Sequence, residues 1–403
     1  MPLTYEYRLY PRKVERERLE RLLDQSREVY NAALAQCKTA YEATGKHQTA
    51  LKQWPYFRDW RNTFPDLLLN ASSVQHTLRG VDKAYAAFFR RLKDGETPGH
   101  PRFKGQTHFK SFEYTYGDGC KLDYEATLDR MVLTVQNVGS LKIKLHRFLP
   151  TGATVKHVIL KRKATGWYVF LQLEVAPHQL PLPLCNGLPH VGGDMGLLRL
   201  LTLSDSTEID NPRWLRQALA DLRRAQRTLS RAEKGSQNRK DKRLIVAKLH
   251  EHIANQRRDF WHRLTSWLVK HYGLIALEQL NLSFMTHNLH LSLSAHDAGL
   301  GAFQTLLGYK AVEAGSLVTW VNPAYTSQAC SGCGELVEKP LSVRVHHCPN
   351  PEYLLELDRD VNAAINILQL ALDKSARIGP SAVNVAAVQG KRRLRSSPIY
   401  RGK

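Results

Sequence analysis

Three cysteines in the C-terminal part of the chain have the spacing of a metal site. Cys330 and Cys333 form a Cys-x-x-Cys pair, and Cys348 follows them. Structural zinc sites hold the ion with four Cys or His ligands in a tetrahedron. Pro351 stands where a second Cys-x-x-Cys pair would end, so one thiolate of such a set is absent. The sequence therefore predicts an incomplete zinc site.

Several donors are candidates for the fourth ligand of this site. A histidine one or two residues before Cys348 must fold back tightly to reach the same ion, whereas a carboxylate beyond it or a water is easier to place. Metal-binding free energy in such a site is folding free energy, so a missing thiolate weakens binding. We expect Zn²⁺ to be bound weakly or with partial occupancy, and the segment around Cys348 to be mobile. The alternatives for the fourth position are His346, His347, Glu352 and water.

Three carboxylates lie where apolar strands end or a helix begins. Asp194 lies in "GGDMGLL", Glu278 in "IALEQL" and Asp360 in "DRDVNAAINIL". Burying a carboxylate is costly unless a cation neutralises it. Three that converge can hold two Mg²⁺ ions about 4 Å apart, which suits hydrolysis of a phosphodiester. The alternative is three separate acids, since an aspartate at a helix N-terminus is stabilised by the helix dipole. The order strand–Asp, helices, strand–Glu, helix–Asp favours one site.

The charge of the chain indicates a polyanionic partner. Lys and Arg number 58 against 37 Asp and Glu, a net charge of +21 over 403 residues. An excess of this size favours nucleic acid, with an anionic membrane surface as the alternative. The sequence has no apolar span long enough to cross a bilayer, and "MPLTYEYRLYPRK" lacks the apolar core of a signal peptide. We therefore expect a cytoplasmic protein that binds nucleic acid, with no membrane partner and no small-molecule substrate.

The spacing of apolar residues predicts the helices and strands that position these residues, and this spacing changes along the chain. "LTYEYRLY" predicts a strand, and apolar spacing predicts one helix from Arg12 to Gly45 and another after Ser72 or Ser73. Between them, "QWPYFRDWRNTFP" is interpreted as a packed loop or as a surface for stacking nucleotides. Alternation with a period of two then runs from about residue 99 to 175 and predicts a small barrel or sandwich. The opening strand can join it, which leaves the helices as an insertion.

The second half of the chain alternates buried strands with long basic helices. After a Pro-rich linker, "HVGGD" and "GLIALEQL" predict buried strands. Between them, helices are predicted over about 211–230 and 243–272, joined by "KGSQNRKDKR". From Asp373 onward the periodicity is weak and charges are many, so we expect the tail to be largely disordered.

Several of these segments together resemble the TnpB family. They are "YRLYP", "VDKAYAAFFRRLKDGETPGHPRFKG", "GGDMGL", "NPRWLRQALADLRRAQRTLSR", "HEHIANQRRDFWHRL", "TSQACSGCG" and "DRDVNAAINIL". The resemblance extends from about residue 5 to 370. It differs from the usual family pattern where "GID" is Gly-Gly-Asp here and where "SDAGWG" is "SAHDAGLG".

The resemblance implies a mixed α/β multidomain protein. Its parts would be a wedge β-barrel with an inserted helical recognition lobe, then a RuvC nuclease domain of RNase H-like fold interrupted by a degenerate zinc-ribbon module. The implied boundaries are 1–11 and 99–178 for the wedge, 12–98 for the lobe, 179–189 for the linker, 190–322 and 356–372 for the RuvC domain, 323–355 for the zinc-ribbon-like insertion and 373–403 for the tail.

The resemblance also implies the activity and its residues. Asp194, Glu278 and Asp360 would be the catalytic, magnesium-binding triad, and Asp358 is the weaker choice within "DRD". The start of the second predicted helix, with Ser72, Ser73 and Gln75, would read a short motif beside the DNA target.

The function that follows is RNA-guided, Mg²⁺-dependent cleavage of target DNA next to that motif. The partners are a guide RNA and the target DNA, and base pairing between them reads the sequence. Two alternatives remain open: an RNA-guided repressor with weak or no cleavage, which is expected to have lost an acid of the triad, and a conventional transposase that acts without RNA, which leaves the front half unexplained.

Overall fold

The computed structural model describes residues 2–64, 66–125, 130–175, 187–288, 291–340, 342–353 and 355–378. The chain divides into two units, Met1–Gln179 and Leu180–Lys403. Residues 176–186, which include most of the linker predicted over 179–189, and the predicted tail beyond residue 378 lie outside the described residues. The expectation of a mixed α/β protein is confirmed, because each unit combines a sheet with helices.

The first unit is built on a seven-stranded antiparallel sheet. Its strands are β1 (Pro2–Tyr10), β2 (Ser111–Thr115), β3 (Cys120–Glu125), β4 (Arg130–Val135), β5 (Gly139–Lys144), β6 (Thr154–Lys163) and β7 (Gly166–Glu174). Their order in the sheet is β2-β6-β7-β1-β5-β4-β3. The opening strand β1 pairs with β7 and β5, as the sequence predicted. Alternate residues, such as Tyr7, Tyr114 and Leu171, face the core.

Three helices lie between β1 and β2 in the chain. They are α1 (Lys13–Thr44), α2 (Ala50–Thr63) and α3 (Ala71–Lys93). The start of α1 is fixed by the Glu15 carboxylate, which accepts from the Arg12 amide at 2.7 Å, and α1 ends at Gly45 with φ of 67°.

The prediction of a loop over the aromatic stretch was wrong, because α2 covers most of it. Pro55 lies inside this helix and lacks the backbone amide that would donate a helical hydrogen bond. Because proline is unfavourable in a helix interior, the sequence pattern did not predict a helix here. The first turn is capped from another helix: the Asp82 carboxylate of α3 accepts from the Ala50 amide at 2.9 Å. Phe57, one of the predicted stacking aromatics, is buried in the core.

The second unit is built on a five-stranded mixed sheet. Its strands are β8 (His190–Asp194), β9 (Arg199–Leu203), β10 (Glu208–Asp210), β11 (Leu274–Glu278) and β12 (Leu317–Val321), in the order β10-β9-β8-β11-β12. The first three are antiparallel, whereas β8, β11 and β12 are parallel. Both predicted buried strands are present as β8 and β11.

Helices cover both faces of this sheet. They are α4 (Trp214–Arg231), α5 (Gln237–His271), α6 (Leu282–His287), α7 (Ser292–Ala298), α8 (Leu300–Ala314) and α9 (Arg359–Ile378). Ile275 and Leu277 of β11 pack with α5 and α8, whereas Ala276 packs with Ile367 and Ala371 of α9. A short hairpin of β13 (Val345–His347) and β14 (Glu356–Asp358) leads directly into α9.

Several helix ends differ from the sequence-based expectation. Helix α3 begins at Ala71 and is capped by the Asn70 side chain, so Ser72 and Ser73 lie within the helix rather than at its cap. Helix α5 begins at Gln237 rather than near residue 243, because the Ser236 hydroxyl caps the Arg239 amide at 3.1 Å. Helix α9 continues to Ile378, so residues 373–378 are helical rather than part of a disordered tail. None of the helices in the described part of the chain combines the length and apolarity needed to span a membrane.

Candidate active site

Two of the predicted carboxylates lie at the same edge of the five-stranded sheet. Asp194 is the last residue of β8 and Glu278 the last residue of β11. The two strands are parallel neighbours, and Gly193 pairs with Leu277 one residue earlier. The carboxyl ends of parallel strands meet at one edge, which brings the two side chains together.

The third carboxylate reaches this edge from the start of α9. Asp360 is in the first turn of α9, and this helix packs along β8. Asp358, two residues earlier, has other partners. Its Oδ1 accepts from the Asp360 amide at 2.8 Å, and its Oδ2 accepts from Arg199 Nη1 at 3.0 Å. The side chain of Asp358 therefore caps the helix while that of Asp360 faces the other two acids.

The electrostatics of the three acids show how closely they interact. Burial, followed by the charges of Glu278 and Asp360, raises the pKa of Asp194 to about 7, against the opposing effect of Arg344 and Arg359. Burial also raises the pKa of Glu278, although its hydrogen bond with Thr326 lowers it. The raised pKa values of Asp194 and Glu278 indicate a site in which added positive charge is stabilising.

The donor set fits a hard divalent cation. All three side chains offer carboxylate oxygens, which Mg²⁺ prefers, and no histidine or cysteine is part of the group. Glu278 is 8% exposed, so its charge is largely removed from water. A bound cation would offset the cost of burying that charge.

Two side chains that sequence reasoning did not single out contact the triad. The Thr326 hydroxyl donates to Glu278 Oε1, and the Arg344 guanidinium donates to Asp360 Oδ2. Both come from the segment between β12 and α9, where no periodic pattern reveals which residues point at the strand ends. Only the fold of this segment brings them to the site.

Two asparagines of α9 hold that segment in place. Asn362 accepts from the Ser331 amide at 2.9 Å and donates to Ala329 O at 2.8 Å. Asn366, one turn later, donates to Thr326 O at 2.9 Å. Their spacing of four residues on one buried face is a signal that the sequence does carry, because buried amides need partners.

The three predicted zinc ligands lie together. The Sγ atoms of Cys330, Cys333 and Cys348 are all within 4.8 Å of one another, and those of Cys333 and Cys348 are 3.6 Å apart. Zinc–sulfur bonds of about 2.3 Å at tetrahedral angles place sulfurs about 3.8 Å apart, so the spacing fits zinc. Burial raises the pKa of the Cys330 thiol, but the backbone amides of Cys333 and Gly332 outweigh it and lower the pKa.

No fourth donor completes this cluster within the part of the chain that the structure describes. His346 is fully buried, and its Nδ1 contacts the Lys339 ammonium. His347 lies 3.6 Å from the Glu356 carboxylate across the β13–β14 hairpin. Pro351 and Glu352 are exposed in the turn that follows Cys348.

The predicted motif-reading residues differ from one another in their surroundings. Ser72 and Ser73 are almost fully buried. The Ser72 hydroxyl accepts from the Thr115 amide at 2.8 Å, and the Ser73 amide donates to the N-cap side chain of Asn70 at 2.9 Å. Gln75 alone is partly exposed and lines a groove of about 330 Å³ between α2 and α3. The structure thus gives the two serines structural partners within the first unit.

Three family models match the sequence. A model described as "Probable transposase" matches residues 172–289, a Cas12f1-like TNB domain matches 301–367 and a helix-turn-helix domain matches 1–46. The last range forms strand β1 and the single helix α1 here. The second range contains the three cysteines and the start of α9.

Two curated relatives match nearly the whole chain. A protein of Streptomyces pristinaespiralis named "Putative RNA-guided DNA endonuclease" is 31% identical over 93% of this chain and 90% of its own length. The InsQ protein of Escherichia coli strain K12, which carries the same designation, is 30% identical over 91% of each chain.

Two solved structures share the fold at low sequence identity. A Cas12f1–sgRNA–target DNA complex matches with a TM-score of 0.59 at 16% identity, covering 88% of this chain and 83% of that one. The mini-RNA-guided endonuclease CRISPR-Cas_phi3 matches with a TM-score of 0.52 at 8% identity, covering 92% of each chain.

Proposed function

The chain belongs to the TnpB family of RNA-guided DNA endonucleases, and from this premise we propose that it cuts DNA at sites selected by a guide RNA. Pairing between guide and target supplies the sequence specificity, while Lys and Arg side chains bind the phosphate backbones. The single observation that carries the proposal is the convergence of Asp194, Glu278 and Asp360 at one edge of the five-stranded sheet.

The domain assignment follows the two units. In the second unit, the three antiparallel strands β10, β9 and β8 are followed in the sheet by β11 and β12, which run parallel to β8. This strand order supports a RuvC domain of RNase H-like fold. The seven-stranded sheet with helices α1 to α3 inserted after β1 supports a wedge barrel and a recognition lobe in the first. Such an enzyme would act in the prokaryotic cytosol, at the DNA of the nucleoid.

The triad residues would hold two Mg²⁺ ions, which when bound activate the attacking water and stabilise the leaving oxygen of the phosphodiester. Two further side chains of the protein contact the triad carboxylates. Thr326 orients the carboxylate of Glu278 by donating to one of its oxygens. Arg344 places a permanent positive charge beside Asp360, and a guanidinium suits a phosphate oxygen.

The three cysteines would hold Zn²⁺ in a structural role. Their sulfur spacing fits the ion, and Cys348 directly follows β13, whose partner β14 leads into α9. The ion would therefore fix the hairpin that places Asp360. With three thiolates, we expect occupancy to be partial.

The flanking motif would be read at the start of α3. Gln75 is the residue of the predicted three whose side chain is accessible, and Arg79 lies beside it in the groove. An amide can both donate and accept, which suits the edge of a base pair.

The test begins with the RNA that co-purifies with the protein from cells. We expect its sequence to define a guide, and a plasmid carrying the matching target to be cut by the protein with Mg²⁺. Asp194→Ala is expected to abolish cutting while leaving guide-dependent binding of the target within a few-fold, because affinity comes from base pairing and the basic surface. Cleavage that does not depend on the guide, or full cleavage by Asp194→Ala, would contradict the proposal.

A further inference from the structure

A second cluster of metal-ligating side chains lies in the first unit, far from the triad in sequence. It consists of His76 on α3, Glu113 on β2 and His157 on β6. Strands β2 and β6 are paired neighbours, with Thr115 opposite His157. Phe112 and Tyr114 face the core, so Glu113 and Thr115 lie on the opposite face of the sheet, towards α3. The three side chains therefore meet where α3 packs on the sheet.

The distances in this cluster suit a shared ion better than hydrogen bonds. His76 Nδ1 lies 3.4 Å and His157 Nδ1 3.3 Å from the same oxygen, Glu113 Oε1. Good N–H···O bonds are shorter, and the buried Nδ1 of His157 has no hydrogen-bond partner. Metal bonds of about 2.0–2.1 Å at tetrahedral angles place neighbouring donors about 3.3–3.4 Å apart.

The orientation of His76 is fixed by the residues around it. Its Nε2 lies 3.0 Å from the Thr115 hydroxyl, which can accept the ring proton. In that tautomer Nδ1 carries a free lone pair directed into the cluster, which is the form a metal binds. Thr115 is itself held through its amide by Ser72 of α3. The rings of His76 and His157 meet edge to face, with centroids 5.1 Å apart.

The donor set selects the class of metal. Two imidazoles and one carboxylate suit zinc and similar transition metals, whereas Mg²⁺ and Ca²⁺ prefer oxygen donors alone. Three protein ligands leave one coordination position for water or another donor. The side chain of His76 is 7% exposed and that of Glu113 is 23% exposed, so the site is sheltered but reachable.

We propose that His76, Glu113 and His157 form a zinc-type metal site that ties α3 to the β2–β6 pair. The site is separate from the cysteine cluster and from the triad, and it does not depend on the proposed cleavage. Because His76 follows Gln75 directly, an ion here would also fix the position of the predicted motif-reading residue.

The test counts metal in the full-length, RNA-free protein after dialysis against a fixed free Zn²⁺ concentration. Elemental analysis compares wild type with His157→Gln and Glu113→Gln, each of which removes one ligand with little change in size. The matched control is His108→Gln, since His108 is an exposed histidine of the same unit outside the cluster. Circular dichroism verifies that each variant is folded.

We expect both cluster variants to bind one zinc fewer per chain than wild type and the His108 variant to bind the same number. We also expect zinc to raise the melting temperature of Cys333→Ser, but not that of the double variant Cys333→Ser/His157→Gln. This second measurement separates the cluster from the cysteine site. Wild-type zinc counts in both His157→Gln and Glu113→Gln would overturn the proposal, and so would an unchanged zinc-induced shift in the double variant.

Discussion

Two aspartates at the start of α9 lie two residues apart but have different partners. Asp360 faces Asp194 and contacts Arg344, whereas Asp358 caps the helix and pairs with Arg199. We therefore expect Asp360→Ala to abolish cleavage and Asp358→Ala to retain most of it. Loss of the cap is expected to cost about 1 kcal/mol of stability. Cleavage rates and thermal melts of the two variants measure both effects.

Asp358→Asn is the control for that comparison, because an asparagine side chain still accepts from the Asp360 amide. It is expected to restore the stability that Asp358→Ala loses. An inactive Asp358→Ala together with an active Asp360→Ala would reverse the assignment of the catalytic residue.

Gln75 is the accessible residue at the start of α3, next to Trp54 and Arg79 in the groove. We expect Gln75→Ala to relax or shift the preference for the flanking motif more than it weakens guide RNA binding, because the side chain would contact the DNA edge and not the guide. Cleavage of a library with randomised flanking sequence measures the preference.

Ser72→Ala provides the contrast. Ser72 is buried and accepts from the Thr115 amide, so its loss is expected to cost about 1–3 kcal/mol of stability with an unchanged motif preference. If Gln75→Ala keeps the wild-type preference, the residues that recognise the flanking motif lie elsewhere, for example on α2.

At this scale the sequence predicted the residues that end regular elements. Asp194 and Glu278 follow apolar strands, and the spacing of Cys330, Cys333 and Cys348 is a direct signal. Thr326 and Arg344 lie in irregular backbone, where position relative to the strand ends depends on the tertiary fold. His157 was missed for a similar reason, since its partners are distant in sequence and its strand resembles any half-buried strand.

Among the elements, α9 carries the third acid and lies unusually close to β8. A Cβ added to Gly192 would lie 2.0 Å from Ala364 O and 2.8 Å from Leu368 N, both backbone atoms of α9. We expect Gly192→Ala to move α9 away from the sheet, to cost about 1–3 kcal/mol or more of stability and to reduce cleavage strongly. Denaturant unfolding and cleavage assays measure the two effects.

Gly308→Ala is the matched control for this substitution. Gly308 lies in α8, and a Cβ there would meet nothing within 4 Å. Replacing a helical glycine with alanine is expected to stabilise the helix by up to about 1 kcal/mol. Equal, small effects of the two substitutions would show that α9 does not need this close approach.

The β13–β14 hairpin links the cysteine cluster to α9, and Pro351 lies in its turn. We expect Pro351→Cys to raise zinc occupancy towards one ion at this cluster and to increase resistance to EDTA, because it supplies a fourth thiolate. Elemental analysis before and after EDTA treatment measures this in the His157→Gln background, where the cysteine cluster is the remaining proposed zinc site, and cleavage assays show whether a firmer hairpin improves the placement of Asp360.

Pro351→Ser is the control, since it removes the proline without adding a thiolate. It is expected to leave zinc occupancy unchanged. Stoichiometric zinc that resists EDTA in the wild-type cluster would contradict the idea of a weakened site.

The elements with regular periodicity were predictable, and the exceptions have physical causes. The opening strand, the alternating strands of the first unit and the buried strands β8 and β11 follow from period and apolarity alone. Helix α2 was not predicted, because its first turn is capped by Asp82 from another helix and its interior contains Pro55. Helix α5 was predicted too short because a basic, polar segment continues the helix beyond its apolar stripe.

For the whole molecule, the charge of +21 has opposite effects on folding and on binding. Like charges repel one another in the compact chain, and added salt screens this repulsion. Contacts between Lys or Arg and phosphates instead weaken with salt, because the counterions released on binding gain less entropy when the bulk salt concentration is higher. A change in salt concentration is therefore expected to shift the stability of the folded chain and its affinity for nucleic acid in opposite directions.

We expect the melting temperature of the RNA-free chain to rise as salt is raised from low to physiological concentration, while the affinity for its guide RNA falls. For single-stranded RNA segments the logarithm of the binding constant is expected to fall with the logarithm of salt by about 0.7 for each phosphate contacted. Thermal melts and binding titrations over the same salt series measure both, with a neutral osmolyte series as the control for general solvent effects.

RNA affinity that does not change with salt would contradict a basic binding surface. A melting temperature that falls over this range would instead show that ion pairs such as Arg199–Asp358 outweigh the repulsion, because salt screens attraction as well as repulsion.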